Sequence, residues 1–365
     1  MITLFLPSLR GGGAERVQLH LARRFAEQGH KVELVVVNQF GAAYDAIPSG
    51  VGIVDLNAKH VTASLPSFVR YLRRTKPSAV FSALDHCNLV ALWAIKLARI
   101  RIPLVISVHN TLSISASRST WRDRMIPHLA RLSYRDADAI VAVSSGVADD
   151  LAATISIPRE RIEVIYNPVV VPELYELANE PISHPWFDVP DKPVLVAVGR
   201  LEAQKDYSTL LRALAIVIQQ HQVLLIILGE GAERSKLELL IRELGLQENV
   251  QLHGFTENPF AFMSKARLLV LSSIYEGFGN VVVEAMALNT PVIATDCPHG
   301  PAEILAGGEY GSLVPVGNPQ RLAEAIVAEL TSQATRPGLR ERAVDFSYEK
   351  IADQYLGLIS VHSDE

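Results

Sequence analysis

At 365 residues, nearly half of them hydrophobic and with Cys87 and Cys297 as the only cysteines, the chain is long enough for two cores, which excludes disorder and a disulfide scaffold. The net charge of −5 divides into +4 over residues 1–180 and −9 over residues 181–365, which fits different partners for the two halves and excludes the basic excess of a nucleic-acid binder. Residues 1–7 lack the basic region and apolar length of a signal peptide, and the apolar stretch 89–108 is broken by Lys96, Arg99, Arg101 and Pro103, so the sequence predicts a cytoplasmic protein with no membrane span.

In chain order, residues 2–6 read as a strand, 7–13 as a Gly-rich turn, 14–28 as a helix burying Val17, Leu19, Leu21, Ala22 and Phe25, and 31–38 as a second strand. This is a βαβ start, but not a dinucleotide fingerprint, because Arg16 stands where the third Gly should fall. The turn at Gly11, Gly12 and Gly13 either admits a phosphate or sugar close to its backbone or is simply tight. Further strands are predicted at 52–56, 79–83, 104–107, 139–143 and 161–165, with helices at 65–74 and 88–99 between them. His109 follows a strand that should be central, where it suits a substrate hydrogen bond or a proton transfer as well as a purely structural role. Between Arg118 and Arg135, Trp121, Met125, Ile126, Leu129 and Leu132 recur at helical spacing among five arginines. Such a helix can lie on an anionic membrane or be an ordinary solvated surface helix.

Five prolines within 172–193 mark the join between the halves, where periodicity is lost. The next strand, 194–198, runs into Gly199-Arg200-Leu201-Glu202-Ala203-Gln204-Lys205. Arg200 as a planar fork and Lys205 as a point charge suit a diphosphate at a strand's carboxyl end. Helix 206–219, strand 223–228, the turn Gly229-Glu230-Gly231, helix 234–244, strand 250–252, Phe255 as a candidate for a base pocket, and helix 258–265 follow in order.

The second half centres on strand 268–273, the loop Glu276-Gly277-Phe278-Gly279-Asn280, and an apolar helix holding Glu284. Gly277 and Gly279 let the backbone approach a ligand, the new helix offers its N–H groups to an anion, and both carboxylates suit vicinal hydroxyls. Glu284 interrupts an otherwise apolar run, where a lone charge has a partner or a ligand. The strand at 291–295, the loop 296–303 and a terminal helix from Ser347 complete the chain.

As a set, Gly11-Gly12-Gly13-Ala14-Glu15-Arg16, Gly199-Arg200 with Lys205, Gly229-Glu230-Gly231 and the Glu276/Glu284 pair resemble the retaining glycosyltransferases of family 4. The phrase 296–305 further resembles a subgroup that builds bacterial lipid-linked and surface glycans from UDP-N-acetylhexosamines or UDP-galactose, although His299 stands where that subgroup usually carries a small residue. The resemblance implies an α/β fold of GT-B type, with two Rossmann-like domains facing across a cleft. The divisions expected are an acceptor-side domain at 1–180, a nucleotide-sugar domain at 181–346, and a terminal helix at 347–365 packing back on the first domain. It implies that Arg200 and Lys205 neutralise the donor diphosphate without metal or other cofactor, that Glu276 holds the transferred sugar and Glu284 the ribose, and that Gly12 and Gly13 contact donor or acceptor. His109 would stabilise the transition state beside the sugar. Gly199, Gly229, Gly231, Phe255, Gly277, Phe278, Gly279 and Asn280 complete the expected donor site. The expected acceptor is a glycan, on a polyprenyl diphosphate or otherwise, with peripheral membrane contact through 118–135. A GT-B epimerase and a non-catalytic nucleotide-sugar-binding subunit are the alternatives; a phosphorylase would need a pyridoxal-phosphate lysine motif, and none is present.

Overall fold

The computed structural model describes residues 1–9, 12–38, 47–114, 124–189, 192–332 and 338–360. Two compact units divide the chain, one of residues 1–169 with 347–365 and one of residues 170–346.

The first unit runs β1 (Ile2–Leu6), α1 (Gly13–Glu27), β2 (Val32–Val36), β3 (Val51–Asp55), α2 (Leu65–Thr75), β4 (Ala79–Ala83), α3 (Asp85–Ala98), β5 (Leu104–Val108), α4 (Ile126–Ser133), β6 (Ala139–Ala142), α5 (Ser145–Ile155) and β7 (Ile162–Val164). All seven strands pair in parallel in the order β3-β2-β1-β4-β5-β6-β7. Parallel strands covered on both faces read as unbroken apolar runs, and β1, β4 and β5 are buried along their whole length. On one face Ile2, Leu4, Leu6, Phe81 and Val105 meet Val17, Leu21 and Phe25 of α1. Phe5 faces the other way and stacks on Phe68 of α2 at 4.2 Å between centroids.

The second unit runs α6 (Pro172–Ala178), β8 (Val194–Val198), α7 (Tyr207–Val217), β9 (Leu224–Leu228), α8 (Arg234–Glu243), β10 (Val250–Gly254), α9 (Pro259–Lys265), β11 (Leu268–Leu271), α10 (Asn280–Ala287), β12 (Val292–Thr295), α11 (Pro301–Ile304), β13 (Ser312–Val314), α12 (Pro319–Thr331) and α13 (Leu339–Ala343). Its six strands are also parallel, in the order β10-β9-β8-β11-β12-β13. Helix α14 (Tyr348–Ser360) returns to the first unit. There Ile351, Ala352 and Tyr355 join the core against α1 and the sheet, and Tyr348 Oη donates to Glu27 at 3.1 Å.

Three expectations need correction. The first boundary lies at 169/170 rather than at 180, because α6 packs on α9 and Asn258 Nδ2 donates to Leu177 O at 2.8 Å. Residues 172–193 are not without regular structure: Pro172 and Pro185 sit in the first turns of α6 and of a 3-10 helix, Pro185–Asp188, where the missing N–H costs nothing. The expected helix from Arg118 to Arg135 is not continuous: Arg124 is helical, Met125 is a turn, and α4 begins at Ile126 with Pro127 in its first turn; residues 115–123, with Arg118, Trp121 and Arg122, lie outside the described residues, as does Gly11. Among the described residues no helix is long and apolar enough to cross a membrane.

Each sheet reverses its strand order once, between β1 and β4 and between β8 and β11. Ligands of open α/β sheets bind beyond the carboxyl ends of the strands at such a switch point, which directs attention to the loops after β1, β4, β8 and β11.

Tyr355 is buried and fills the space beside Phe81. Tyr355→Ala should therefore lower unfolding free energy by about 3–5 kcal/mol, the range for large buried aromatics, as read by denaturant titration. A loss below about 1 kcal/mol would mean that α14 contributes little to the first unit.

Candidate functional site

The loops after β8 and β11 are fastened to each other across the second switch point. Ile274 N–H donates to Gln204 O at 2.8 Å, Gln204 Nε2 to Tyr275 O at 2.9 Å, and Ser272 Oγ to Lys205 O at 2.7 Å. Between them Lys205 Nζ lies 2.6 Å from Glu276 Oε1, with both side chains largely shielded. Ser273 Oγ donates to the same oxygen at 2.6 Å, and Thr295 Oγ1 fixes Ser273 through its carbonyl at 2.6 Å. Glu276 is also held by its backbone, whose N–H donates to Pro298 O at 2.7 Å and whose carbonyl accepts from His299 N at 3.1 Å. The carboxylate and the ammonium are thus set in place before any ligand arrives.

The glycines of the β8 and β9 loops make this packing possible. Gly229 has φ +145°, and a Cβ there would lie 2.0 Å from Gly199 O; one on Gly231 would lie 2.4 Å from Leu201 O. Gly199 has φ +153° and faces Lys205 Cε, which would be 2.8 Å from an added Cβ. Any side chain at these positions would drive the Lys205 loop away from its neighbour.

Arg200 behaves differently from Lys205. Its side chain is 75% exposed and pairs with Glu202 at 2.7 Å. An exposed pair contributes only about 0–1 kcal/mol, so Arg200 can turn to a ligand cheaply, whereas Lys205 is fixed. The charge of Glu276 reaches further: the Cys297 thiol is pushed up to about 12 by burial first and by Glu276 second, and the Tyr207 phenol is raised by the same two causes. Cys297 is consequently an unreactive thiol at neutral pH. Tyr207 Oη donates to Gly199 O at 3.0 Å and braces the β8 turn.

Beyond Glu276, Gly277 is half-buried and Gly279, the N-cap of α10 at φ +103°, brings no capping side chain of its own. Asn280 begins the helix, and Glu284 lies within it, 4% exposed among apolar neighbours. Two expectations divide here. The Phe278 ring is buried and meets Phe346 at 5.6 Å. Phe255, by contrast, is 72% exposed at the end of β10, so its ring is open to stacking.

In the first unit the ligand edge carries His109 beyond β5 and Gly12 and Gly13 at the start of α1. Gly12 N–H donates to Glu15 Oε2 at 2.9 Å, and Ser8 Oγ to Glu15 Oε1 at 2.6 Å. A buried carboxylate already sits at this helix start, so the turn suits neutral hydroxyls better than the phosphate also considered from sequence. His109 is buried, and burial alone lowers its imidazole to about 4. Its Nε2 is 3.0 Å from Ser107 Oγ, while Ser107 Oγ donates its own hydrogen to Ser82 O at 3.2 Å. With the Ser107 hydrogen on Ser82 O the ring proton lies on Nε2 and Nδ1 is the acceptor, and with the Ser107 hydrogen on Nε2 the roles reverse. His109 at neutral pH is an uncharged group suited to receive a hydroxyl hydrogen.

Ser273, Gln204, Tyr207, Ser107 and Glu15 were not singled out from sequence. Ser107 was within reach, since residues i and i+2 of a strand share a face and it precedes His109 by two.

With this geometry in view, family models divide the chain between them: residues 11–171 match "Glycosyltransferase Family 4" and residues 180–348 match "Glycosyl transferases group 1". The chain belongs to these glycosyltransferases. It is 29% identical over 93% of both chains to N-acetylgalactosamine-N,N'-diacetylbacillosaminyl-diphospho-undecaprenol 4-alpha-N-acetylgalactosaminyltransferase of Campylobacter jejuni. It is 28% identical over 96% of both to the lipopolysaccharide core biosynthesis glycosyltransferase LpsE of Rhizobium meliloti. Among solved structures, HepE of Anabaena in complex with UDP superposes with a TM-score of 0.79 at 23% identity, covering 99% of each chain. Sucrose-phosphate synthase of Thermosynechococcus elongatus superposes at 0.82 and 22% identity, covering 100% of this chain and 99% of its own. These neighbours share the GT-B fold of two Rossmann-like domains.

His109 gives a pH test. Its folded value lies below its ordinary 6.5, so as pH falls through 6.5 toward 4 the unfolded chain gains a proton that the folded chain refuses, and stability falls across that window. Relative to His109→Asn, the wild type should lose about 3 kcal/mol of unfolding free energy between neutral pH and about pH 4. Parallel pH profiles for the two proteins in chemical denaturation would show that His109 is not held neutral.

Proposed function

We propose that this glycosyltransferase moves a hexose or N-acetylhexosamine, with retention at the anomeric carbon, from a UDP-sugar to a hydroxyl of a growing bacterial glycan carried on a polyprenyl diphosphate. The observation that carries the proposal is the shielded Lys205–Glu276 pair at the second switch point, one N–O distance of 2.6 Å from cation to carboxylate, beside the glycine-capped start of α10. A sugar diphosphate has anionic oxygens next to a ring of hydroxyls, and this pair offers a cation next to a carboxylate in the same juxtaposition.

On this reading Lys205 meets the diphosphate, Arg200 swings from Glu202 to join it, and the backbone of Gly277, Gly279 and Asn280 offers donors at the positive end of α10. Glu276 accepts hydrogens from the sugar, and Glu284 receives the ribose diol. Phe255 stacks on the uracil, while Gly199, Gly229 and Gly231 keep the loops close enough for these contacts. In the first unit Nδ1 of His109 accepts from a sugar hydroxyl, and Gly12 and Gly13 admit the acceptor. The bond from the anomeric carbon to the diphosphate oxygen breaks with its electron pair leaving on UDP. The acceptor oxygen bonds to that carbon from the same face, and its proton passes to the departing diphosphate. Glu276 does not serve as a nucleophile in this scheme, because Oε1 already accepts from Lys205 and Ser273. The names of the Campylobacter and Rhizobium relatives support a lipid-linked or lipopolysaccharide acceptor, and the UDP complex of HepE supports the donor class. A lipid-linked acceptor places the reaction at the cytoplasmic face of a membrane.

Lys205→Ala and Arg200→Ala should each cost about 2–4 kcal/mol of transition-state stabilisation, the loss seen when one electrostatic donor is removed, with Arg200→Ala at the lower end. Unchanged kcat/KM in both variants would sink the diphosphate assignment. The charge is supplied by these cations and not by a divalent ion, so UDP release from a panel of nucleotide sugars, run with chelator, should single out one UDP-sugar and rise with a polyprenyl-diphosphate acceptor. Activity abolished by chelator, or release from no donor, would overturn the metal-independent scheme or the transferase roles assigned to these residues.

A further inference from the structure

A helix leaves its last four carbonyls without a partner of the usual kind, and α11 has only four residues. One guanidinium answers two of them. Arg342 Nη2 donates to Glu303 O at 2.8 Å and Nε to Ile304 O at 3.1 Å, while Nη1 meets Asp345 at 2.9 Å. The same guanidinium lies over the Phe346 ring, 4.9 Å from its centroid. Phe346 is fully buried and carries the contact on to Phe278, ring to ring at 5.6 Å. Only a planar group with a fork of donors can serve two carbonyls, a carboxylate and an aromatic face together.

What α11 and Phe346 support is the loop assigned to the donor. Gly279, the N-cap of α10, packs on α11: a Cβ there would touch Pro301 at 3.7 Å and Ile304 at 3.8 Å. Gly300, at φ +89°, passes so close to Phe278 O that no Cβ would fit between them. Helix α13 itself lies against α10, with Leu339 and Ala343 buried. Arg342 therefore reaches the loop by two routes, through α11 to Gly279 and through Phe346 to Phe278. A glycine N-cap has no side chain to fix the start of its helix, so the placing of α10 relies on what packs against it.

We propose that Arg342 is a positioning residue for the donor site: by way of α11 and Phe346 it holds residues 276–280 and the first N–H groups of α10 in the arrangement that receives the diphosphate. This role rests on the donor site read above and adds to it a residue that touches no ligand. A loop that samples other arrangements binds in proportion to the fraction of molecules that are competent. Preorganisation by Arg342 thus appears as affinity for the diphosphate, and its loss as weaker binding with every ligand contact still present in the sequence.

The test compares wild type with Arg342→Gln, Arg342→Lys and Phe346→Leu, each as the full chain, by hydrogen exchange read by mass spectrometry and by calorimetric titration with UDP. In Arg342→Gln, peptides spanning 276–288 should exchange about tenfold faster, while those of β8 and β9 keep wild-type rates. Its Kd for UDP should rise by about tenfold. Arg342→Lys keeps a charge beside Asp345 but loses the fork and the stacked face, so it should be nearly as impaired. Phe346→Leu breaks one of the two routes and should fall in between, and it carries the test should the Arg342 variants fail to fold. Unchanged exchange in 276–288 with UDP still bound by wild type would overturn this role alone, as would faster exchange with unchanged UDP affinity or wild-type behaviour of Arg342→Lys. Wild type that binds no UDP would overturn the donor reading and this role with it.

Discussion

The shielded ion pair between Lys205 and Glu276 is the constraint around which the second unit is arranged. An ammonium and a carboxylate withdrawn from water are tolerated only where each finds the other and further hydrogen bonds complete the set. Here the completion comes from Ser273, from the clip between Gln204 and Tyr275, and from glycines that let the β8 and β9 loops touch. Each element of that support sits at a strand's carboxyl end. The parallel order of the sheet brings β8 beside β11, and so brings two residues 71 positions apart within 2.6 Å. Topology produces the site, and the loops only finish it.

In the first unit the same edge carries weaker electrostatics. Glu15 already answers the start of α1, and His109 is held uncharged by burial. An edge whose helix start already holds a buried carboxylate is better suited to hydroxyls than to a diphosphate. The two units thus differ in the way a nucleotide-sugar donor and a glycan acceptor differ, although their sheets share one strand order.

Much of this was legible in the sequence. Strands such as Leu224–Leu228 and Ala79–Ala83 are buried on both faces and therefore read as uninterrupted apolar runs. Glu276 and Glu284 stood out because carboxylates beside or inside apolar segments need a reason. What could not be read were relations between distant backbone segments. That Gly231 approaches Leu201 O, or that Ser273 serves Glu276, follows from strand order and not from local pattern. Nor could it be read that Phe278, an aromatic inside a Gly-rich loop, meets Phe346 at the far end of the second unit's chain. The proline-dense stretch after 170 misled for a local reason: prolines in first turns begin helices as readily as they break them.

Charge distribution shows why local arrangement and not net charge must govern donor capture. Residues 181–365 carry −9 overall, which repels a nucleotide diphosphate at long range. At physiological salt that repulsion fades within about 8 Å, whereas the fixed Lys205, the mobile Arg200 and the start of α10 act at hydrogen-bond distance. An acidic unit with one preorganised cationic point discourages anions from settling anywhere else on its surface. Selectivity for a diphosphate over scattered phosphate binding then comes from the contrast between that point and its surroundings, and the contrast is as much a property of the acidic surface as of the two cations.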